Sequence, residues 1–331
     1  MKTRPIIAIT MGDINGVGPE IIGKVLTHKE IFDLCTPVVL GDINAYIHYN
    51  KNIKGFIEPV KIKSPDESLQ LKDKIGIVEL EFENLSITPG KIDSVNSIAA
   101  TAWIRQAVKW CMEKQTDAMV TCPITKEGLA KAGIPYDGHT TMLADWTNTK
   151  DYRMSLFAGE RRVVHHTAHL SLIQAIKSIN KPDLVKTIEI AYKALIKIHA
   201  SKINIAVAGL NPHAGEQGLF GNEEIKIISP AIEECKKIGI ACSGPYPPDT
   251  IFRRMFEGEF NMVVAMYHDQ GHIPMKLVAM DEGVNVTLGL PIIRTSVDHG
   301  TAFDIAGKGM AREHSLYSAI KLAVQFAENK G

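Results

Sequence analysis

The chain has 331 residues, enough for about two domains that each bury a core, and this length excludes a small disulfide-stapled scaffold. Its 37 Lys and Arg residues balance 37 Asp and Glu residues, so it lacks the basic surplus typical of nucleic-acid binding. Hydrophobic residues make up 45% and charged residues 22%, which predicts a soluble globular protein and excludes intrinsic disorder.

Short apolar runs alternate with amphipathic stretches along the chain, which predicts an α/β protein with a mainly parallel sheet. We expect residues 49–73, rich in Lys, Pro and Ser, to form a surface loop, and Ser94 to cap the first long helix. The predicted strands are 5–10, 38–41, 75–80, 118–121, 154–158, 163–166, 203–208, 262–265 and 284–288, and the clearest helices are 94–114, 182–199, 223–237 and 315–328.

The five cysteines form an odd set without a C-x-x-C pair, which favours free thiols in a reducing compartment over a disulfide framework. The apolar stretch near the start, residues 6–9, is too short for a signal-peptide core. No apolar run approaches 18 residues, so we expect no membrane span. These features predict a cytoplasmic protein.

The first predicted strand is followed by a glycine-containing turn at residues 11–20. Gly16 and Gly18 permit unusual backbone angles, and Pro19 suits the first turn of a helix. The glycines lack the G-x-G-x-x-G spacing of a dinucleotide fingerprint, so we do not expect a standard Rossmann fold. A tight turn with a purely structural role explains this segment equally well.

Three histidines, His169, His213 and His268, each lie in a turn-like segment after a predicted strand. Three imidazoles with open positions suit zinc or a similar divalent ion. Asp269 is placed to accept a hydrogen bond from the second ring nitrogen of His268. The alternative, three unrelated histidines in ordinary hydrogen bonds, stays open because they are far apart in the chain.

A second set of residues suits an anionic substrate. Lysine and arginine cations bind phosphate or carboxylate, whereas small polar groups orient the bound anion; surface solvation is the competing explanation. A third segment, residues 298–309, has two glycine-containing turns in which Asp304 is suited to accept from hydroxyl groups. The candidate anion-binding residues are His139, Thr140, Lys276, Asn285 and Arg294.

Taken together, these segments resemble the 4-hydroxythreonine-4-phosphate dehydrogenase family of pyridoxal phosphate biosynthesis. The resemblance runs end to end, and it departs from the family pattern at Ile14-Asn15, Thr141 and Cys122. The motifs that carry it are residues 11–20, 138–140, 167–170, 211–216, 267–271, 283–291 and 293–301. Residues 11–20 and 299–309 are also similar to the isocitrate and isopropylmalate dehydrogenases.

The resemblance implies two α/β/α domains around a central cleft, formed by residues 1–130 plus 300–331 and by residues 131–299. It implies a homodimer with active sites at the subunit interface, where His169, His213 and His268 are metal ligands shared between subunits. His139, Thr140, Lys276, Asn285 and Arg294 match substrate-binding positions, Asp249 an acidic position near the metal, and His299, Gly300 and Asp304 the adenosine loop of the cofactor.

The implied reaction is oxidation of 4-phosphohydroxy-L-threonine by NAD or NADP with a divalent metal, zinc first and magnesium or cobalt as alternatives. The 3-oxo product then decarboxylates to 3-amino-2-oxopropyl phosphate. The departures from the family pattern leave open a sister activity on 4-phospho-D-threonate or 4-phospho-D-erythronate. More distant alternatives are a zinc hydrolase, since three histidines also activate water, and a non-catalytic metabolite-binding protein.

Overall fold

The computed structural model describes residues 4–71, 74–279 and 282–328, which divide into two units by their internal contacts. The first unit comprises Met1–Lys150 and Leu290–Lys330, and the second comprises Asp151–Gly289. Segments from both halves of the sequence therefore build the first unit, whereas the second is a single continuous segment.

Among the described residues, the first unit contains six parallel strands in the order β3-β4-β2-β1-β5-β12. The central strand β1 aligns Thr10 with Leu40 of β2 on one side and with Thr121 of β5 on the other. Their bounds are β1 Ile6–Thr10, β2 Thr36–Leu40, β3 Pro59–Lys61, β4 Ile75–Val78, β5 Ala118–Thr121 and β12 Arg294–Val297.

Helices pack on this sheet, and the longest of them, α4, is capped by Asp93. The Asp93 carboxylate accepts from the backbone N–H groups of Val95 and Asn96 at 2.7 and 3.2 Å. The prediction of Ser94 as the cap is therefore wrong by one residue. The helices are α1 Gly18–Leu26, α2 Lys29–Leu34, α3 Ile43–Asn50, α4 Ser94–Met112, α5 Lys126–Lys131, α6 His139–Trp146 and α12 His314–Ala327.

The second unit is a mixed sheet with the strand order β11-β6-β7-β10-β8-β9. The pairs β11–β6 and β6–β7 are antiparallel, and the remaining pairs are parallel. Its strands are β6 Arg153–Ala158, β7 Arg161–His165, β8 Ile205–Ala208, β9 Cys242–Tyr246, β10 Met262–Ala265 and β11 Val284–Leu288. Its helices are α7 Leu172–Ser178, α8 Lys181–Lys197, α9 Ser229–Lys237, α10 Ile251–Phe256 and α11 His268–Ala279.

The predicted α/β class is confirmed, and all nine predicted strands are present. Three strands, β3, β9 and β12, were not predicted. Residues 49–71 contain β3 and a 3₁₀ turn at Pro65–Gln70, so a plain surface loop is wrong for this part; residues 72–73 lie outside the described residues. The helix expected at 223–237 begins with a π-helical turn at Glu224–Ile228.

The contacts divide the chain near residues 150 and 290 rather than near 130 and 299, because α5 and α6 contact α4 of the first unit. Cys35, Cys122, Cys235 and Cys242 are free thiols, and all four are buried. Across the described residues, no helix has both the length and the apolar character that crossing a membrane requires.

Candidate active site

Three strand ends of the second unit carry the histidines predicted to bind metal. His169 follows β7, His213 follows β8, and His268 begins α11 just after β10. These strands are neighbours in the order β7-β10-β8 and run parallel to one another. All three histidines therefore come after the carboxyl ends of neighbouring strands of one sheet. Open α/β sheets bind their ligands at this edge.

A cleft of about 300 Å³ opens at this edge. His169 and His268 both line it, with their ring centroids 6.0 Å apart. The side chain of His268 is 33% exposed, so the ring is accessible but held by its surroundings. The other lining residues are Ala168, Leu170, Leu172, Ala175, Tyr267 and Asp269.

The orientation of His268 is set by the next residue. Its Nδ1 lies 2.6 Å from Oδ1 of Asp269, and because a carboxylate only accepts, Nδ1 carries the proton. The second ring nitrogen, Nε2, then keeps its lone pair for a ligand. This is the arrangement that a metal-ligating histidine usually shows.

His213 is exposed and packs its ring 6.2 Å from that of Phe220. It is not among the residues that line the cleft. Within residues 4–71, 74–279 and 282–328, no three His, Cys, Asp or Glu side chains are arranged to hold a metal ion. The structure thus brings two of the three predicted ligands to one cleft, and the sharing of ligands between subunits stays a prediction.

The backbone around His213 is strained. Residues Pro212–Gly218 contain five consecutive left-handed residues, and the four that are not glycine have φ between 41° and 54°. A left-handed conformation costs about 1–2 kcal/mol for each residue with a Cβ. Such strain is concentrated at functional sites, where the surrounding structure enforces it.

The buried carboxylate of Glu224 supports this left-handed turn. Its Oε1 accepts from the backbone N–H groups of Leu210 and Asn211 at 2.8 and 2.7 Å, and its Oε2 accepts from Asn211 Nδ2 at 2.9 Å. A Cβ at Gly215 would lie 2.7 Å from Oε2, so a glycine is required where the turn crosses this carboxylate. No sequence pattern indicates Glu224, because its role depends on the fold of the turn.

Two further histidines, His165 and His272, lie beside the cleft and were also missed. His272 Nδ1 is 2.9 Å from His165 Nε2, and His165 Nδ1 is 3.1 Å from the carbonyl oxygen of Met154. The rings of His272 and His268 stack with centroids 3.9 Å apart and an angle of 13°. Burial lowers the pKa of His165 to about 4, and burial also lowers the pKa of His272. The four-residue spacing of His268 and His272 was the signal available in the sequence.

In the first unit, the predicted anion-binding residue Arg294 is buried at the start of β12. Its Nη2 donates to Thr121 Oγ1 at 2.8 Å, and burial lowers the pKa of its guanidinium to about 9. His139 begins α6, and burial together with the Arg294 charge holds the pKa of its imidazole well below the usual value. The two lie close enough for this charge effect, so the structure brings these two predicted anion-binding residues near each other.

The remaining predicted site residues are distributed over both units. Thr140 follows His139 on α6 and is half-buried. In the second unit, Lys276 is exposed on α11, Asn285 is half-buried on β11, and Asp249 is exposed just before α10.

The two segments that suggested a dinucleotide pack against each other within the first unit. The backbone N–H of Val17 donates to the carbonyl of Thr301 at 3.0 Å, and Lys24 Nζ donates to the carbonyl of Ala311 at 2.6 Å. A Cβ at Gly16 would lie 2.9 Å from the same Thr301 carbonyl. Residues 11–20 are all buried against residues 299–311, so only the latter segment provides exposed surface here.

The residues predicted to bind the cofactor lie on this surface. His299 is exposed, and its Nδ1 donates to the carbonyl of Gly300 at 2.9 Å. Asp304 is exposed within the turns that follow. Asp13, from the opening motif, is 1% exposed, and burial raises the pKa of its carboxyl to about 6.

Comparison with known proteins gives the same family as these motifs. The family model described as pyridoxal phosphate biosynthetic protein PdxA matches residues 33–323. A putative D-threonate 4-phosphate dehydrogenase of Oceanobacillus iheyensis is 45% identical over 334 residues, covering 100% of both chains. D-threonate 4-phosphate dehydrogenase of Cupriavidus necator is 42% identical and covers 98% of both chains. A crystal structure of 4-hydroxythreonine-4-phosphate dehydrogenase from Klebsiella pneumoniae is 42% identical with a TM-score of 0.87, covering 98% of this chain and 99% of the other.

The fold and these relatives define an oxidoreductase that acts on a CH–OH group. The chain belongs to the PdxA family, since the family model spans most of its length. The resemblance inferred from the motifs is thereby confirmed. A dehydrogenase of this family implies a nicotinamide cofactor.

Proposed function

We propose that this protein oxidises the C3 hydroxyl of D-threonate 4-phosphate with NAD or NADP, assisted by a divalent metal ion. The observation that carries the proposal is the His268–Asp269 pair at the cleft, since it leaves Nε2 of His268 available as a ligand. The relatives named D-threonate 4-phosphate dehydrogenase favour this substrate over 4-phosphohydroxy-L-threonine.

The donor set suits a divalent ion. His169 and His268 present imidazoles to one cleft, and we propose that His213 completes the ligand set across the two subunits of a dimer. Imidazole donors favour zinc, with magnesium or cobalt as alternatives where substrate oxygens complete the shell. When bound, such an ion acts as a Lewis acid that lowers the pKa of the hydroxyl and stabilises charge on the ketone oxygen.

The reaction balances as an oxidation followed by loss of carbon dioxide. C3 loses a hydride, which a bound nicotinamide would accept, and its hydroxyl loses a proton, for which Asp249 is the proposed acceptor. The product carries a carboxylate β to a ketone, so C1 leaves as carbon dioxide and C2 takes up a proton. The final product is dihydroxyacetone phosphate, whereas the amino substrate would give 3-amino-2-oxopropyl phosphate.

The anionic ends of the substrate need cations. Arg294 offers a planar set of donors beside His139, and an anion there would stabilise a guanidinium whose charge burial disfavours. Thr140, Lys276 and Asn285 supply a hydroxyl, a point charge and an amide for the rest of the molecule. Binding energy at these groups would position C3 for hydride transfer.

We assign the cofactor to the surface of residues 299–311, the segment that packs against residues 11–20. His299 and Gly300 are exposed at the start of this segment, and Asp304 offers an exposed carboxylate to ribose hydroxyls. Nicotinamide reduction measured separately with NAD and with NADP decides between the two nucleotides.

We propose a homodimer because the second unit exposes large apolar side chains on two helices. Leu172 and Ile173 on α7 are 56% and 67% exposed, and Ile273 and Leu277 on α11 are 65% and 84% exposed. Exposed apolar clusters of this kind commonly mark protein interfaces. The helices flank the histidine cleft, which supports an active site at the interface. The free cysteines support a cytoplasmic location.

The test measures nicotinamide reduction with NAD and NADP, with zinc, magnesium or cobalt, and with D-threonate 4-phosphate or 4-phosphohydroxy-L-threonine. We expect turnover of D-threonate 4-phosphate, its loss in His268→Ala, and its retention in the exposed control His48→Ala. Turnover of the amino substrate alone would keep the dehydrogenase and replace the substrate. Phosphate release without nucleotide reduction would overturn the proposal in favour of a hydrolase.

A further inference from the structure

One face of α11 carries three polar side chains at four-residue intervals: His268, His272 and Lys276. Residues at this spacing lie on the same side of a helix, so His272 lies between a proposed metal ligand and a proposed anion ligand. Its ring stacks on that of His268 at 3.9 Å, and it is only 5% exposed. The proposed function does not use this buried imidazole.

Hydrogen bonding fixes which nitrogen of His272 carries a proton. The carbonyl of Met154 only accepts, so Nδ1 of His165 must be protonated. His165 is 1% exposed, and a positive charge buried there would be costly. The ring is therefore neutral, and its Nε2 accepts a hydrogen bond. The 2.9 Å contact then requires Nδ1–H on His272 as the donor. Nε2 of His272 consequently has a lone pair and is a hydrogen-bond acceptor.

The charges around Nε2 of His272 distinguish a hydroxyl group from an ammonium group on the substrate. Lys276 is positive, a metal ion at His268 would be positive, and Asp269 already accepts from His268. A substrate hydroxyl can donate to a neutral imidazole in this setting without adding charge. An ammonium group would bring a further cation to a place already occupied by cations, which costs affinity.

On this basis, and resting on the proposed function, we propose that Nε2 of His272 accepts a hydrogen bond from the C2 hydroxyl of the substrate. His272 would thereby select a 4-phosphorylated 2-hydroxy acid over the corresponding 2-amino acid. C2 is the expected contact because it neighbours C3, whose oxygen belongs at the metal beside His268. The residue acts on specificity and takes no part in hydride transfer.

The test compares His272→Leu, which removes the acceptor, with His272→Gln, which keeps an acceptor and a donor. Kinetics with D-threonate 4-phosphate and 4-phosphohydroxy-L-threonine are measured for both variants and for wild type. For the hydroxy acid, we expect kcat/KM to fall about 10- to 100-fold in His272→Leu and to recover most of this loss in His272→Gln. For the amino acid, we expect a change of less than about threefold.

Calorimetric binding of D-threonate 4-phosphate without nucleotide, together with metal content and melting temperature, gives readouts besides activity. We expect weaker binding of the hydroxy acid in His272→Leu at unchanged metal content. Equal losses for both substrates, loss of metal, or no change in either substrate would overturn the inference. Failure of wild type to reduce nucleotide with either substrate would instead overturn the proposed function, and a wild type that prefers the amino acid would overturn the inference and the proposed substrate while keeping the dehydrogenase.

Discussion

Asn15 and Thr88 hold each other by two hydrogen bonds. Asn15 Nδ2 donates to Thr88 Oγ1 at 3.1 Å, and the backbone N–H of Thr88 donates to Asn15 Oδ1 at 2.8 Å. Asn15 Nδ2 also donates to the carbonyl of Lys91 at 2.9 Å, and Asn15 is fully buried. One side chain thus ties the opening motif to residues 88–91.

Asn15→Ala should destabilise the first unit by about 2–4 kcal/mol, because it removes the three hydrogen bonds of a fully buried side chain. Urea unfolding followed by circular dichroism measures this loss. The matched control is Asn44→Ala, an exposed position on α3, which should change stability by less than about 0.5 kcal/mol. Equal effects of the two substitutions would show that the Asn15 contacts add nothing.

Gly215→Ala should disturb the turn that carries His213. Gly215 has φ of 81°, and its Cβ would lie 2.7 Å from Glu224 Oε2. Gly133→Ala is the control, since Gly133 has φ of 71° and nothing within 4 Å of its Cβ, so it isolates the backbone cost of about 1 kcal/mol. We expect Gly215→Ala to lose at least about twice as much stability and to bind zinc more weakly, measured by chelator competition. If the two variants behave alike, the Glu224 contact does not define the turn.

Asp13 predicts a pH dependence of stability. Its pKa rises from an ordinary value of 3.8 to about 6 in the folded protein, so between these values the folded state binds more protons than the unfolded state. The free energy of unfolding therefore falls as the pH rises through this interval, by up to about 3 kcal/mol from this residue.

Asp13→Asn should remove this dependence and raise stability above pH 6, since an amide oxygen still accepts from the backbone N–H of Asn15. Denaturant midpoints below pH 4 and above pH 7 measure the difference, with exposed Asp66→Asn as the control. Unchanged pH profiles in Asp13→Asn would contradict the assignment.

Arg294→Met should separate stability from substrate binding. Replacing a buried cation by an apolar side chain of similar length is often neutral or stabilising, so we expect an equal or higher melting temperature. We expect kcat/KM to fall about 100-fold, mainly through KM, because an anion loses a charge-assisted contact. The pKa of His139 should rise, since the Arg294 charge holds it down, and this is measurable by NMR titration. A fall in stability with unchanged KM would make Arg294 a structural residue.

Leu277→Glu should weaken the proposed dimer, because it places a charge on the most exposed apolar side chain of α11. Light scattering coupled to size exclusion measures the mass, and activity should fall with the dimer because we propose that the site lies at the subunit interface. Exposed Leu69→Glu in the first unit is the matched control. A wild type that is monomeric at all concentrations would refute the dimer directly.

Sequence patterning predicted the strands that are apolar and buried. β5, β10 and β11 begin and end where the sequence placed them, because each is a short run dominated by apolar residues. β12 was missed because its first three residues, Arg294, Thr295 and Ser296, are polar although buried. β9 contains Gly244 and Pro245, which normally mark turns.

Contacts in the site could be predicted from the sequence where the two residues are adjacent in the chain. His268 and Asp269 are adjacent, and their contact follows from the sequence alone. His165 and His272 are 107 residues apart, and their hydrogen bond exists only because β7 and β10 pair in parallel beneath α11. The support of His213 by Glu224 likewise depends on a turn whose left-handed backbone no local pattern indicates.

The first unit is built from two distant segments of the chain, so its sheet cannot be completed early in synthesis on the ribosome. β5 pairs with β1 on one edge and with β12 on the other. The second edge of the fully buried strand Ala118–Thr121 therefore stays unpaired until residues 294–297 have left the exit tunnel. The second unit, being continuous, can complete its sheet first. Throughout that interval the nascent first unit presents an open, apolar strand edge, a natural target for chaperones and the stage at which misfolding of this enzyme should begin.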